Sequence, residues 1–139
     1  MPQINHREDS TTLNALINDN IYTEVIADGI HINDNTLNLI FKAKPINKIL
    51  LISDALPITY SNLTEIDFAG SKIYYDGKKA TSKNGVIAGS TSLLNDIVKR
   101  LAQKNLFQKE LITNTYDYHN LPLYGEVIWD EDFNIIEVH

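Results

Sequence analysis

Two short apolar runs dominate the first half of the chain. Residues 21–27 and 48–53 are almost all apolar or β-branched, and polar residues follow each run. Such runs are typical of strands buried on both faces of a parallel sheet. Between them, residues 36–44 carry apolar side chains at helical spacing, residues 33–35 offer an N-cap, and Pro45 ends the helix. The pattern predicts a βαβ unit.

Helical spacing recurs in three other places. Residues 11–17 predict a short helix, with Leu13, Leu16 and Ile17 on one face. A longer apolar stripe between Leu93 and Leu101 predicts a helix that Ser90 or Thr91 can cap. Another helix is expected over residues 108–114.

The other segments alternate between apolar and polar positions. Residues 65–88 alternate and contain the turn signals Asp76-Gly77 and Asn84-Gly85, which predict two to four antiparallel strands. Near the end, residues 126–129 and 134–138 predict two short strands joined by an acidic turn.

Composition narrows the class of protein. The chain has 139 residues, of which 43% are hydrophobic, so we expect one globular domain with a substantial core. The net charge of −6 disfavours nucleic acid and anionic membranes as partners. The absence of cysteine excludes disulfides and thiolate metal sites. The polar N-terminal residues do not form a secretory signal, and we expect a cytoplasmic location.

Three polar residues follow the two predicted parallel strands. Asp28, His31 and Asp54 all fall near the carboxyl ends of those strands, where ligands bind in α/β proteins. Asp54 can serve in general acid–base chemistry, or it can simply cap a turn. His31 can face a ligand, or it can be a turn histidine whose ring is satisfied by the backbone. The spacing alone leaves both alternatives open.

Other motifs are weaker. Residues 87–90 bring small side chains to a predicted helix N-terminus, which suits a polar ligand but is also typical of a simple cap. The four histidines are isolated and form no zinc-binding pattern. The sequence contains no nucleophile elbow, phosphate-binding loop or dinucleotide fingerprint.

Five motifs follow one another in an order that resembles a known family. They are Met1-Pro2 followed by His6-Arg7-Glu8, Ile26–His31, Leu51–Ala55, Phe68–Gly70 with Ile73–Tyr75, and Ile87–Leu93. In this order and spacing they resemble the N-acetylglucosamine-6-phosphate deacetylases of the amidohydrolase superfamily. The resemblance covers residues 1 to about 112 and returns faintly at residues 130–135.

The resemblance implies an α/β fold. We expect the C-terminal part of a (β/α)8 amidohydrolase barrel, a TIM barrel, with a small antiparallel β excursion and a residual β-sandwich tail. Residues 1–139 would form a single domain, in which residues 1–115 are the partial barrel and residues 116–139 the sandwich remnant. The implied activity is hydrolysis of the acetamido group of N-acetylglucosamine 6-phosphate in amino-sugar catabolism.

The resemblance also implies roles for individual residues. Asp54 matches the catalytic aspartate that takes a proton from the attacking water and passes it to the leaving amine. Arg7 matches an arginine that holds the sugar phosphate across a dimer interface. The implied substrate-binding set is Arg7, Asp28, Gly29, Ile30, His31, Ile87, Ala88 and Gly89.

Several family features are missing from the sequence. The resemblance implies that the family's metal ligands, a glutamate and two histidines, precede the point that Met1 matches. We therefore expect no metal to be bound by this chain alone, whereas full-length relatives would use zinc or a similar divalent ion. Asp9-Ser10 replaces Pro-Gly, Asn114–Asp117 replaces Asn-Pro-Ala-Arg, and Gly-x-x-Ala-Asp is absent around residues 123–127.

These differences predict a C-terminal half that is inactive without the missing N-terminal half. The expected partners are an amino-sugar phosphate and either that missing half or a second copy in a homodimer. The alternative is a non-catalytic remnant or a sugar-phosphate-binding module.

Overall fold

The computed structural model describes residues 4–139, so the predicted match at Met1 lies outside the described residues. The helices are α1 (Thr11–Ile17), α2 (Asp34–Ala43), α3 (Leu94–Gln103) and α4 (Glu110–Tyr118), with a 3-10 turn at Ile46–Lys48. The strands are β1 (Thr23–Val25), β2 (Ile49–Leu51), β3 (Glu65–Phe68), β4 (Ser71–Tyr75), β5 (Ala80–Ser82), β6 (Ile87–Gly89), β7 (Val127–Trp129) and β8 (Ile135–Val138).

Strands β1 and β2 pair in parallel, and α2 makes the connection between them. Thr23 lies opposite Ile49 in this pairing. The βαβ prediction is therefore confirmed, although both strands are shorter than expected. The expectation that β1 is buried on both faces is wrong at Glu24, whose side chain is exposed. A further parallel bridge joins Ala55, just beyond β2, to Ser90, just beyond β6.

Local caps explain the bounds of the first two helices. The Ser10 hydroxyl accepts a hydrogen bond of 3.0 Å from the backbone of Leu13 and begins α1 at the predicted residue. Asn33 caps α2 in the same way, and Pro45 follows its last turn. The predicted inner face of α1 is wrong at Ile17, which is exposed, because the helix ends there and only Leu16 turns fully into the core.

Helix α3 begins later than the sequence predicts. Neither Ser90 nor Thr91 caps it, because Ser90 is part of the parallel bridge to Ala55. The helix begins at Leu94, and the Asp96 carboxylate accepts a hydrogen bond of 2.7 Å from the backbone of Leu93. This arrangement leaves the Ser90 hydroxyl available for another contact.

Strands β3 to β6 form the predicted antiparallel excursion, in the order β3-β4-β5-β6. Turns at Asp76-Gly77 and Asn84-Gly85 separate its last three strands, as predicted. Its small core contains Leu56, Ile58, Ile73 and Ala80.

The main core lies between the parallel strands and the helices. Its buried side chains come from the four helices, from β1 and β2 and from the loop after β1, and they are Leu16, Val25, Ala27, Leu37, Ile40, Ile49, Leu51, Ile97, Val98, Leu101 and Leu111. Trp129 and Phe133 from the terminal β7–β8 hairpin pack against it. Helix α4 runs across position 115, so it spans the boundary that the sequence suggests within the domain.

In the part of the chain that the structure describes, no helix is both long enough and apolar enough to cross a membrane.

Candidate functional site

The loop after β1 is organised around the carboxylate of Asp28. One oxygen, Oδ1, accepts hydrogen bonds from the backbone of Ile30 at 2.8 Å and of His31 at 2.9 Å. The other oxygen, Oδ2, lies 2.9 Å from Nδ1 of the His31 ring and accepts a hydrogen bond of 3.0 Å from the Ser90 hydroxyl. The Asp28 side chain is 0% exposed, so it positions its neighbours and does not face solvent.

The electrostatics of Asp28 favour its charged form. Burial raises the pKa of its carboxyl group, but the hydrogen bonds from the backbone of His31 and Ile30 and from the His31 ring outweigh burial. The pKa therefore lies below its ordinary value of 3.8. A carboxylate at Nδ1 stabilises the ring with a proton on that nitrogen and leaves Nε2 for another partner. His31 is 20% exposed, so its ring is partly accessible to a ligand.

The parallel bridge connects the Asp28 loop to the segment that follows β2. The backbone of Ser90 donates to the carbonyl of Asp54 at 2.8 Å, and the backbone of Leu56 donates to the carbonyl of Ser90 at 2.9 Å. Ser90 thus contacts Asp54 through its backbone and Asp28 through its hydroxyl. Of the predicted site residues, the structure links Asp28, His31 and Asp54 in this way.

Gly89 is required for this approach. A Cβ atom at this position would lie 2.8 Å from Cγ of Leu56 and 3.1 Å from the carbonyl oxygen of Asp54. Those distances are too short for a side chain in a packed interior. The predicted neighbours Ile87 and Ala88 are exposed beside it.

The backbone of Asp54 has a φ of 50°, in the left-handed region that most residues avoid. Its side chain is exposed just beyond the buried β2 strand. Aspartate tolerates this conformation better than most residues, and unusual backbone angles occur often at functional sites. The conformation is a feature of Asp54 that spacing in the sequence does not reveal.

Arg7 lies in the exposed N-terminal segment. Its backbone donates to the Asn5 side chain at 3.1 Å, and its Nε donates to the ring of His6 at 3.1 Å. Within residues 4–139, the hydrogen bonds of Arg7 are to its own neighbours, and none of them joins it to the Asp28 network.

Sequence reasoning missed Arg100, in the last turn of α3. Its Nη1 donates to the carbonyl of Ala27 at 3.1 Å, and its Nη2 is paired with the Asp34 carboxylate. Lys104 reaches the other oxygen of Asp34 at 2.7 Å. Hydrogen bonds from Lys104 and from Arg100 hold the pKa of Asp34 below its ordinary value. A long basic side chain on an otherwise amphipathic helix gives no sequence signal of such a contact.

The described residues do not form a metal centre. Within residues 4–139, no three histidine, aspartate or glutamate side chains come together in a group that could hold a metal ion. The carboxylate of Asp28 and the Nδ1 of His31 are engaged with each other, so this pair does not offer those atoms to a metal.

Comparison with known proteins shows that the chain is similar to part of a group of deacetylases. The chain is 31% identical to the N-acetylglucosamine-6-phosphate deacetylase of Bacillus subtilis over 103 residues, which are 74% of this chain and 26% of the relative. It is a homologue of part of these deacetylases. The Lysinibacillus sphaericus deacetylase is 27% identical over an alignment that covers all of this chain and 38% of the relative. No protein-family model matches the sequence.

A solved structure of the same enzyme has the same fold. The Mycobacterium smegmatis N-acetylglucosamine-6-phosphate deacetylase, solved as a variant in complex with N-acetylglucosamine 6-phosphate, matches with a TM-score of 0.89 at 20% identity. The match covers 100% of this chain and 41% of that one. The resemblance to these deacetylases is confirmed, and the chain spans well under half the length of each relative, which fits a match to their C-terminal part.

Proposed function

We propose that the chain is the C-terminal part of an N-acetylglucosamine-6-phosphate deacetylase and supplies the acid–base residue and part of the sugar pocket. The observation that carries the proposal is the parallel bridge between Ala55 and Ser90. Through Ser90 it connects the backbone of Asp54 to the carboxylate of Asp28, which supports a site at the ends of parallel strands, where α/β enzymes bind substrates.

In this proposal β1, β2 and the bridge belong to a (β/α)8 barrel. The parallel pairing of β1 with β2 through α2 supports it, since barrel strands are connected in this way. The β3–β6 sheet is an insertion in the barrel, and residues 116–139 are the remnant of a β-sandwich, with residues 1–115 as the barrel part.

The proposed chemistry begins at Asp54. Its exposed carboxylate accepts a proton from the attacking water and returns it to the amine as the amide bond breaks. His31, held at Nδ1 by Asp28, presents Nε2 to the sugar. The exposed guanidinium of Arg7 binds the phosphate, for which its planar fork is suited. The Asp28–His31 loop and residues 87–89 line the sugar pocket.

The proposed enzyme needs a second polypeptide region. Within residues 4–139 no group of three or more side chains could hold a metal ion, so in this proposal the metal ligands come from residues outside this set. We propose that they come from a region corresponding to the N-terminal part of the relatives, and that the chain acts in the cytoplasm, in that assembly or as a homodimer. Size-exclusion chromatography with light scattering tests the assembly.

The test is acetate release from N-acetylglucosamine 6-phosphate with added zinc. We expect no release by the purified chain and release when the N-terminal region of a relative is added. Asp54→Asn should lower that rate by about 100-fold or more, whereas Asp67→Asn, on the exposed strand β3, should not. Robust turnover by the chain alone would contradict the need for a second region.

The second candidate is a module that binds sugar phosphates without catalysis. The partly accessible His31 ring and the exposed Arg7 favour it, because both are available without a metal. Calorimetry with glucosamine 6-phosphate separates the possibilities. Binding that His31→Gln or Arg7→Met weakens, without acetate release in any mixture, supports the module. No heat at millimolar ligand leaves only a remnant.

A further inference from the structure

We propose that Arg100 is the positioning residue that fixes the loop carrying His31, and hence the orientation of the imidazole toward the sugar. This inference deepens the proposed function and rests on it for the identity of the ligand. The geometric part concerns only the contacts between Arg100 and residues 27–34, and it can be tested without any ligand.

One guanidinium joins both ends of the loop. Nη1 of Arg100 binds the carbonyl of Ala27, the last residue before the loop, and Nη2 binds the carboxylate of Asp34, the first residue of α2. Residues 28–33 lie between these two anchors. A planar fork with several donors can hold two acceptors in a fixed relation, which a lysine ammonium on a flexible stem does less well.

The middle of the loop lies against the same side chain. A Cβ atom on Gly29 would be 2.7 Å from both Nε and Nη2 of Arg100. Gly29 has a φ of +82°, a conformation that glycine adopts more readily than other residues, and the Arg100 guanidinium leaves no room for a side chain at this position. Arg100 therefore touches the start, the middle and the end of one loop.

The position of the loop decides the position of the His31 ring. The ring is held at Nδ1 by Asp28, whose carboxylate is itself held by the backbone of residues 30 and 31. These bonds exist only while the loop keeps its shape. Releasing the anchors at Ala27 and Asp34 should let the loop relax, and the ring should lose its single orientation.

The helix containing Arg100 also provides a matched control. Lys104 binds the same carboxylate of Asp34 from the next turn, but among the described residues it makes no hydrogen bond to residues 27–33. Lys104→Met removes one cation from Asp34 and should leave the Ala27 anchor intact. Arg100→Met and Arg100→Lys remove or degrade both anchors.

The first measurement is the tautomer of His31 by nitrogen-15 NMR, about two pH units above the ordinary histidine pKa of about 6.5. His31→Gln identifies its signals among the four histidines. In the wild-type chain and in Lys104→Met we expect one dominant tautomer, with the proton on Nδ1. In Arg100→Met and Arg100→Lys we expect a mixture of both tautomers.

The second measurement is the Kd for glucosamine 6-phosphate by calorimetry. For metal ligands, mutation of the hydrogen-bonding partner that orients the ligand typically lowers affinity or activity by about 10-fold or more, and we expect a similar loss of affinity for a sugar-binding histidine. We expect that loss in both Arg100 variants and less than a twofold change in Lys104→Met. The conservative Arg100→Lys variant keeps the charge and serves if Arg100→Met does not fold.

The proposal is overturned if both Arg100 variants keep the wild-type His31 spectrum, or if Lys104→Met changes it equally. Lack of sugar-phosphate binding by the wild-type chain would count against the proposed function, whereas the His31 spectrum would still decide the role of Arg100.

Discussion

The hydroxyl of Ser90 donates a hydrogen bond of 3.0 Å to the buried carboxylate of Asp28, 62 residues earlier in the chain. The same hydroxyl accepts a bond of 3.1 Å from the backbone of Ser92. Ser90 is 1% exposed, so water cannot easily replace either partner. The contact ties the His31 loop to the segment that leads into α3.

Replacing Ser90 with alanine should therefore destabilise the protein. It removes one donor from a buried carboxylate, which typically costs about 1–3 kcal/mol of unfolding free energy. Urea denaturation measures the loss. Thr91→Ala is the matched control, because that neighbouring hydroxyl donates to the carbonyl of Lys78 at the surface. Its removal should lower the free energy of unfolding by less than about 1 kcal/mol. Equal losses in the two variants would contradict the structural role of Ser90.

The Asp28 carboxylate should make stability depend on pH. Its pKa is lower in the folded protein than its ordinary value of 3.8, so it contributes stability above that value. That contribution is lost as the pH falls through the lower, folded pKa. Asp28→Asn should be less stable than the wild type near pH 7, and the difference should shrink below about pH 4. Urea unfolding of both proteins across this range measures it, and a difference independent of pH would refute the linkage.

Gly89→Ala should destabilise the bridge to Asp54 by about 1–3 kcal/mol, because the added methyl group would overlap Leu56. Leu56→Ala alone should cost about 2–4 kcal/mol as a cavity. The double variant should lose less than the sum of the two, by about 1 kcal/mol or more, because each change makes room for the other. If the losses of unfolding free energy in the two single variants add up in the double variant, the methyl group added at position 89 does not contact the Leu56 side chain.

The buried amide of Asn114 supports the start of β2 from α4. It donates to the carbonyls of Ile46 at 2.7 Å and Ile49 at 2.8 Å, and the residue is 3% exposed. Asn114→Ala leaves those carbonyls without this donor and should cost about 1–3 kcal/mol.

Asn38→Ala is the control for Asn114. The Asn38 amide makes a similar bond of 2.9 Å to the carbonyl of Asp34, but in solvent. Alanine also favours the helix, so the change in unfolding free energy should be near zero. Urea denaturation midpoints compare the stability of the two variants, provided that the dependence of the unfolding free energy on urea concentration is unchanged. A larger loss of unfolding free energy at Asn38 than at Asn114 would contradict the argument from burial.

The sequence predicts elements well where the signals are local. Helix α1 matches its predicted bounds because its cap at Ser10 is adjacent in the chain. The four-stranded excursion follows from alternation and glycine turns. Helix α3 begins later than predicted because Ser90 pairs with Ala55, a contact between distant segments that periodicity does not contain.

The candidate site, too, could be predicted only in part from the sequence. Asp28, His31 and Asp54 could be identified because polar residues that follow buried strands are visible in the sequence. The positive φ of Asp54, the Ser90 contact and the Arg100 contact could not, since each depends on tertiary packing. The two alternatives for His31 also required coordinates, which show its Nδ1 bound to Asp28.

The hydrogen bonds from Ser90 and Arg100 that hold the His31 loop also bear on the order of folding. The hydrogen bonds around the loop join residues 62 and 73 positions apart, whereas the hydrogen bond from Nζ of Lys44, at the end of α2, to the carbonyl of Ala15 in α1 spans 29. Contacts between distant segments form slowly because long loops must first close. The contacts that hold the His31 loop are therefore expected to form later in folding than the contact between α1 and α2.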